Sequence, residues 1–225
     1  MVKGGKTWGY GVLVSLVLMR IAGGAAGEDC NFPAVYNFGD SNSDTGASSA
    51  ALGPIQWPNG ETFFGEPAGR ASDGRLIIDF IGKDTSRLPR PEDFSKALYT
   101  LDIGHNDVLG TVFNGHPSNT LELIRNFTIA FQTLYDLGGR VFWIHNVGPL
   151  GCMPSAQSKM WNRREEEFDK NRCVTSWNER VQEYNTQLKE RVIKLRAELP
   201  EAAITYVDVY TAKYNLISNA TKLGK

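Results

Sequence analysis

Four short apolar runs, each followed by a stretch with helical spacing or a turn-rich segment, constrain this chain more than any other feature. They are Ala34-Val35-Tyr36-Asn37-Phe38, Ala97-Leu98-Tyr99-Thr100-Leu101-Asp102-Ile103, Val141-Phe142-Trp143-Ile144-His145-Asn146-Val147 and Ala203-Ile204-Thr205-Tyr206-Val207-Asp208-Val209. The third is apolar almost throughout, as a parallel strand covered on both faces must be. A helical pattern from Pro117 to Leu137 places Leu121, Ile124, Thr128, Phe131 and Tyr135 on one face and stops at Gly138-Gly139. A longer one runs from Arg172 to Glu198 and ends before Pro200, and Thr211 to Leu223 starts another. Residues 53–75 are crowded with turn formers, and a short helix follows at Leu76–Ile81. Strands alternating with helices specify a parallel sheet with right-handed crossovers and helices on both faces. The predicted fold is therefore α/β, a three-layer α/β/α sandwich with a mostly parallel sheet. The alternation is interrupted between Gly82 and Asp93, a short polar span with Pro89 and Pro91 and no strand pattern.

At 225 residues, 41% hydrophobic and 22% charged, the chain has the composition of a globular domain with a real core. Its formal net charge of −1 argues against a broad electrostatic footprint for nucleic acid or anionic lipid. The N-terminus reads as a secretory leader over residues 1–27, leaving 28–225 as the domain. Lys3 and Lys6 precede an apolar core from Trp8 to Met19, and Ala22-Gly23-Gly24-Ala25-Ala26-Gly27 supplies small residues for cleavage. That core is shorter than the roughly 20 residues a membrane span needs, so no span is expected after cleavage. Secretion agrees with the glycosylation acceptors Asn126-Phe127-Thr128 and Asn219-Ala220-Thr221. Of the three cysteines, Cys152 and Cys173 are the expected disulfide because they close a modest polar loop, which leaves Cys30 without a partner. The histidines and cysteines show no metal-ligand spacing, and nothing resembles a nucleotide loop, so neither metal nor cofactor is expected.

Three strand ends carry polar or turn chemistry. Gly39-Asp40-Ser41-Asn42 places a serine where a turn can lift its hydroxyl into a crevice, although the same residues also suit a helix N-cap. Gly104-His105-Asn106-Asp107 ends another strand of the same sheet, and an asparagine amide there can donate to an oxyanion; the plain alternative is a turn. Asn146-Val147-Gly148-Pro149-Leu150-Gly151-Cys152 shapes a rigid loop beside the same crevice.

In this order and at these intervals, the three blocks resemble those of the plant secreted GDSL esterase/lipases of the SGNH hydrolase superfamily. Pro58-Asn59-Gly60 and Gly69-Arg70-Ala71-Ser72-Asp73-Gly74-Arg75 extend the likeness. The resemblance implies a parallel sheet of about five strands in an α/β/α sandwich. It also implies hydrolysis of carboxylic esters through an acyl-serine intermediate, with Ser41 as nucleophile and backbone oxyanion donor and Asn106 as side-chain oxyanion donor. The substrate is then a small-molecule ester (an acylated sugar, a lipid or a secondary metabolite), and the residues around Ser41 lean toward acetyl-ester relatives.

Two family features have no counterpart. The block with the oxyanion glycine, due between Arg75 and Asn106, does not fit in Phe80 to Phe94, and the Asp-x-x-His block that supplies the general base and its orienting acid is absent before Lys225. His105 is too close to Asn106 to reach Ser41, His116 reads as a solvated helix start, and His145 as a core histidine. One missing oxyanion donor costs about 3–4 kcal/mol of barrier, and a missing triad histidine about a millionfold in rate. The expectation is therefore an ester hydrolase that is incomplete toward its C-terminus and weak; the alternative is a truncated relative or a binding protein. A carbohydrate-binding module is disfavoured because Trp57, Trp143, Trp161 and Trp177 are spread over separate elements.

Overall fold

A computed structural model describes residues 32–81, 90–114, 119–158 and 165–223. The proposed leader, Cys30, Gly82, His116 and Trp161 lie outside these residues. All four apolar runs form strands: β1 (Val35–Gly39), β2 (Leu98–Asp102), β3 (Val141–His145) and β4 (Ala203–Val207). They pair in parallel and in sequence order, β1-β2-β3-β4. The resemblance implied about five strands; among the described residues there are four.

The long helices are α1 (His105–Asn114), α2 (Thr120–Asp136), α3 (Thr175–Glu198) and α4 (Val209–Ser218). Successive strands step in one direction across the sheet, so right-handed crossovers place α1, α2 and α3 together on one face. Their core-facing residues, among them Val108, Phe131, Val181 and Leu188, pack with Tyr99, Leu101, Phe142 and Ile144 of the sheet. Helix α4, which follows the last strand, brings Lys213 over Gly148 and into electrostatic range of His145. The result is an α/β fold with helices on both sides of the sheet.

The face of α2 differs from the sequence reading. Ile124, Phe127 and Phe131 are buried, whereas Leu121 is 75% exposed. The stripe at spacings of three and four meets α3 and the sheet, and Leu121, in the first turn, overhangs them. Trp177 is 4% exposed, a core residue of α3 with no face to offer a sugar.

Candidate active site

The β1–β2 register pairs Gly39 with Asp102, so the turns leaving the two strands lie side by side. The chain leaves β1 through a 3-10 turn, Ser41–Ser43, capped by Asp40. One oxygen of Asp40 accepts from the Asn42 N–H at 3.0 Å and from the Asn42 amide at 3.1 Å. β2 ends ahead of Gly104, which leads into α1. Gly104 has φ +108°, and a Cβ there would lie 2.5 Å from the hydroxyl of Tyr184 on α3, so glycine is required by both backbone and neighbour.

Two side-chain ties fasten the turns together. Asn106 Nδ2 donates to Asp40 Oδ2 at 3.4 Å, and Ser43 Oγ donates to Asp102 Oδ2 at 3.3 Å. Ser41 follows the residue that Asn106 holds, and both Ser41 and Asn106 are exposed. The asparagine amide has two N–H groups. Asp40 orients the amide through one of them and leaves the other available. Asp40 itself repels a developing oxyanion, so its part is positioning.

Residues 83–222 match the GDSL-like lipase/acylhydrolase family. A GDSL esterase/lipase of Arabidopsis thaliana is 38% identical over 273 residues, covering 87% of this chain and 70% of that relative. One of Zea mays is 39% identical over 284 residues, covering 91% and 71%. An esterase of Hevea brasiliensis is 34% identical over 290 residues, covering 95% and 73%. The chain belongs to the GDSL-like lipase/acylhydrolase family. Membership makes this GDSL protein a carboxylic-ester hydrolase acting on small-molecule esters. A 273-residue match is longer than the 225-residue chain, so the Arabidopsis relative has interior stretches with no counterpart here.

The third block of this GDSL chain is held by asparagines that sequence reading missed. Asn185 Oδ1 accepts from the Val147 N–H at 3.0 Å and its Nδ2 donates to the Val147 carbonyl at 2.8 Å. Asn178, seven residues earlier on α3 and so on the same helix face, accepts from the Gly151 N–H at 2.9 Å. Asn146 donates to Asp208 at 2.9 Å and to the Tyr206 hydroxyl at 3.0 Å, and accepts from the Tyr210 N–H at 2.9 Å. Burial opposes the charge on Asp208, but the Thr211 N–H and hydroxyl and the Asn146 amide outweigh it and hold the carboxyl below its ordinary value. A Cys152–Cys173 disulfide closes the far end of the loop. The readable signal was a pair of asparagines two turns apart within the apolar stripe of Trp177, Val181, Tyr184 and Leu188.

Neither described histidine hydrogen-bonds Ser41. His145 is 5% exposed, and its Nδ1 has no hydrogen-bond partner among the described residues. Half-buried His105 lines a pocket of about 320 Å³ with Asn42, Gly148, Met153 and Lys213. Burial lowers the pKa of both imidazoles; Asp102 pulls them upward and Lys213 adds to the lowering, with Asp40 a further upward pull on His105. Among the described residues no group of histidines, cysteines and carboxylates could hold a metal ion, and no helix is long and apolar enough to cross a membrane. Asn126 is exposed on α2, and Asn219 caps α4 with its amide donating to the Asn215 carbonyl at 2.8 Å.

Proposed function

We propose that the ester hydrolysis of this family member runs through Ser41. The serine oxygen adds to the ester carbonyl carbon, and the oxyanion accepts from the free Asn106 N–H and the Ser41 N–H. Collapse expels the alcohol, which takes up a proton, and leaves an acyl-serine; water then adds and releases the carboxylic acid. The observation that carries the proposal is the tie of Asn106 to Asp40, which holds an amide donor beside the serine turn. The proton lost by Ser41 needs an acceptor, and an imidazole in that role is worth about a millionfold. Among the described residues neither His105 nor His145 hydrogen-bonds Ser41.

The test combines hydrolysis of p-nitrophenyl acetate with labelling by an alkyl fluorophosphonate, which forms a serine–phosphorus bond and releases fluoride. Ser41→Ala abolishes both, and Asn106→Ala lowers kcat/KM by about 10²–10³, the range for one oxyanion donor. Hydrolysis that survives Ser41→Ala, or a label mapped to another residue, refutes the assignment.

The chain is also proposed to be a secreted glycoprotein. The support is the leader at residues 1–27, the acceptors Asn126 and Asn219, and a disulfide of the kind that oxidising compartments maintain.

A further inference from the structure

The glycine that ends β1 has no left-handed backbone to account for it; a neighbour requires it instead. A Cβ on Gly39 would stand 2.6 Å from the Oγ of Ser43 and 2.7 Å from its Cβ, closer than real Cβ atoms come to anything. The turn that carries Ser41 therefore folds back until Ser43 fills the place of the missing Gly39 side chain. That place is on the polar face of the strand tips, since residues two apart on a strand share a face. The register sets Asn37 beside Thr100 and Gly39 beside Asp102. Thr100 Oγ1 donates to Asn37 Oδ1 at 2.6 Å. Ser43 Oγ donates to Asp102 Oδ2 at 3.3 Å, and among the described residues no other donor reaches that carboxylate. Ser41 is thus bracketed: Asp40 before it is tied to Asn106, and Ser43 beyond it to Asp102. The backbone bonds of the turn itself are few. The Ser43 N–H donates to the Asp40 carbonyl at 3.0 Å, and the Asp44 N–H to the Ser41 carbonyl at 3.4 Å, which is long.

We propose that Ser43 is a positioning residue for the hydrolysis. Seated over Gly39 and bonded to Asp102, it fixes the turn on the far side of Ser41 and keeps the nucleophile oxygen aligned with the Asn106 amide. This rests on hydrolysis at Ser41; Ser43 itself touches no reacting atom. Without its bond the turn is anchored through Asp40 alone and pivots there. A misplacement of about 1 Å at a reacting centre costs about a hundredfold in rate, so a second anchor two residues from the nucleophile acts on turnover rather than on substrate binding.

Four variants test it. Ser43→Ala and Asp102→Ala each remove the bond, Gly39→Ala pushes Ser43 off its seat with both partners still in the chain, and Asp102→Asn keeps an acceptor oxygen in place. Amide exchange at Asn42 and Asp44, followed by NMR, should quicken at least about tenfold in the first three and stay within about threefold of wild type in Asp102→Asn. With p-nitrophenyl acetate the first three should lose about ten- to a hundredfold in kcat with KM within about twofold, and Asp102→Asn should keep most of its kcat. Ser43→Ala combined with Asp102→Ala should be no slower than either alone, because both remove one shared contact. A role confined to stability would give neither the selective loss in kcat nor the recovery by asparagine. Unchanged exchange in Ser43→Ala overturns the proposal whatever the hydrolysis shows. So do additive losses in the double variant, or Asp102→Asn as slow as Asp102→Ala. If exchange responds as expected while hydrolysis survives Ser41→Ala, the seat of Ser43 stands and the nucleophile assignment fails.

Discussion

Asn185→Ala isolates what the loop after β3 owes to α3. The wild-type amide satisfies both backbone groups of Val147, at 3.0 and 2.8 Å, inside a site where Asn185 is 7% and Val147 4% exposed. Truncation leaves a buried N–H and a buried carbonyl without partners, at about 1–3 kcal/mol each, or about 2–6 kcal/mol together. Against a typical domain stability of about 5–15 kcal/mol, that is a large fraction. At roughly 2–4 °C per kcal/mol for a domain of this size, even a loss of about 3 kcal/mol lowers Tm by roughly 6–12 °C. Urea unfolding with linear extrapolation measures the free energy directly. Asn185→Leu separates volume from hydrogen bonding, because it fills the space yet leaves the same two groups unpaired, and should cost nearly as much. Gln182→Ala, which removes only an exposed bond to the Tyr210 hydroxyl, should stay within about 1 kcal/mol of wild type. A loss below about 0.5 kcal/mol for Asn185→Ala refutes the reasoning, since it would mean that the Val147 groups find other partners at no cost.

Asp44 accepts from the Ser48 side chain and from the backbone of Gly46, Ser48 and Ala47, against a small opposing effect of burial, and its pKa falls to about 2. A depressed folded-state pKa makes its contribution fully present above the ordinary value of 3.8 and lost as pH falls through about 2. An NMR titration of its carboxyl should show that midpoint, and one near 3.8 contradicts the cap. Protein recovered from a eukaryotic secretion host should begin near Glu28 and lose mass with peptide N-glycosidase. An intact Met1 with no such loss removes the case for secretion.

The architecture was legible where local pattern and burial agree. Each of the four apolar runs became a strand, β2 and β3 largely buried and β1 and β4, at the borders of the described sheet, only partly so, and the long helix ending before Pro200 is α3, which ends at Glu198. The face of α2 was misread because its period fits more than one stripe, and only the position of α3 selects Phe127 over Leu121. Ser41 and Asn106 were nameable as ends of different strands, but their relation depends on the Gly39–Asp102 register and on Asp40, neither of which a linear motif contains. The cavity lined by Phe38, Leu101 and Phe127 was invisible for the same reason: these residues come together from segments distant in sequence.

Among the described residues β1 is ladder-bonded along a single flank, to β2, and Ser41 stands just past its end. Border strands open at lower free energy than those with two neighbours, so β1 should fray before β2 or β3. The proposed nucleophile is thus tethered to a border strand of the described sheet rather than to its centre. Amide exchange at Tyr36 and Phe38 becomes a gauge of how steadily that residue is presented.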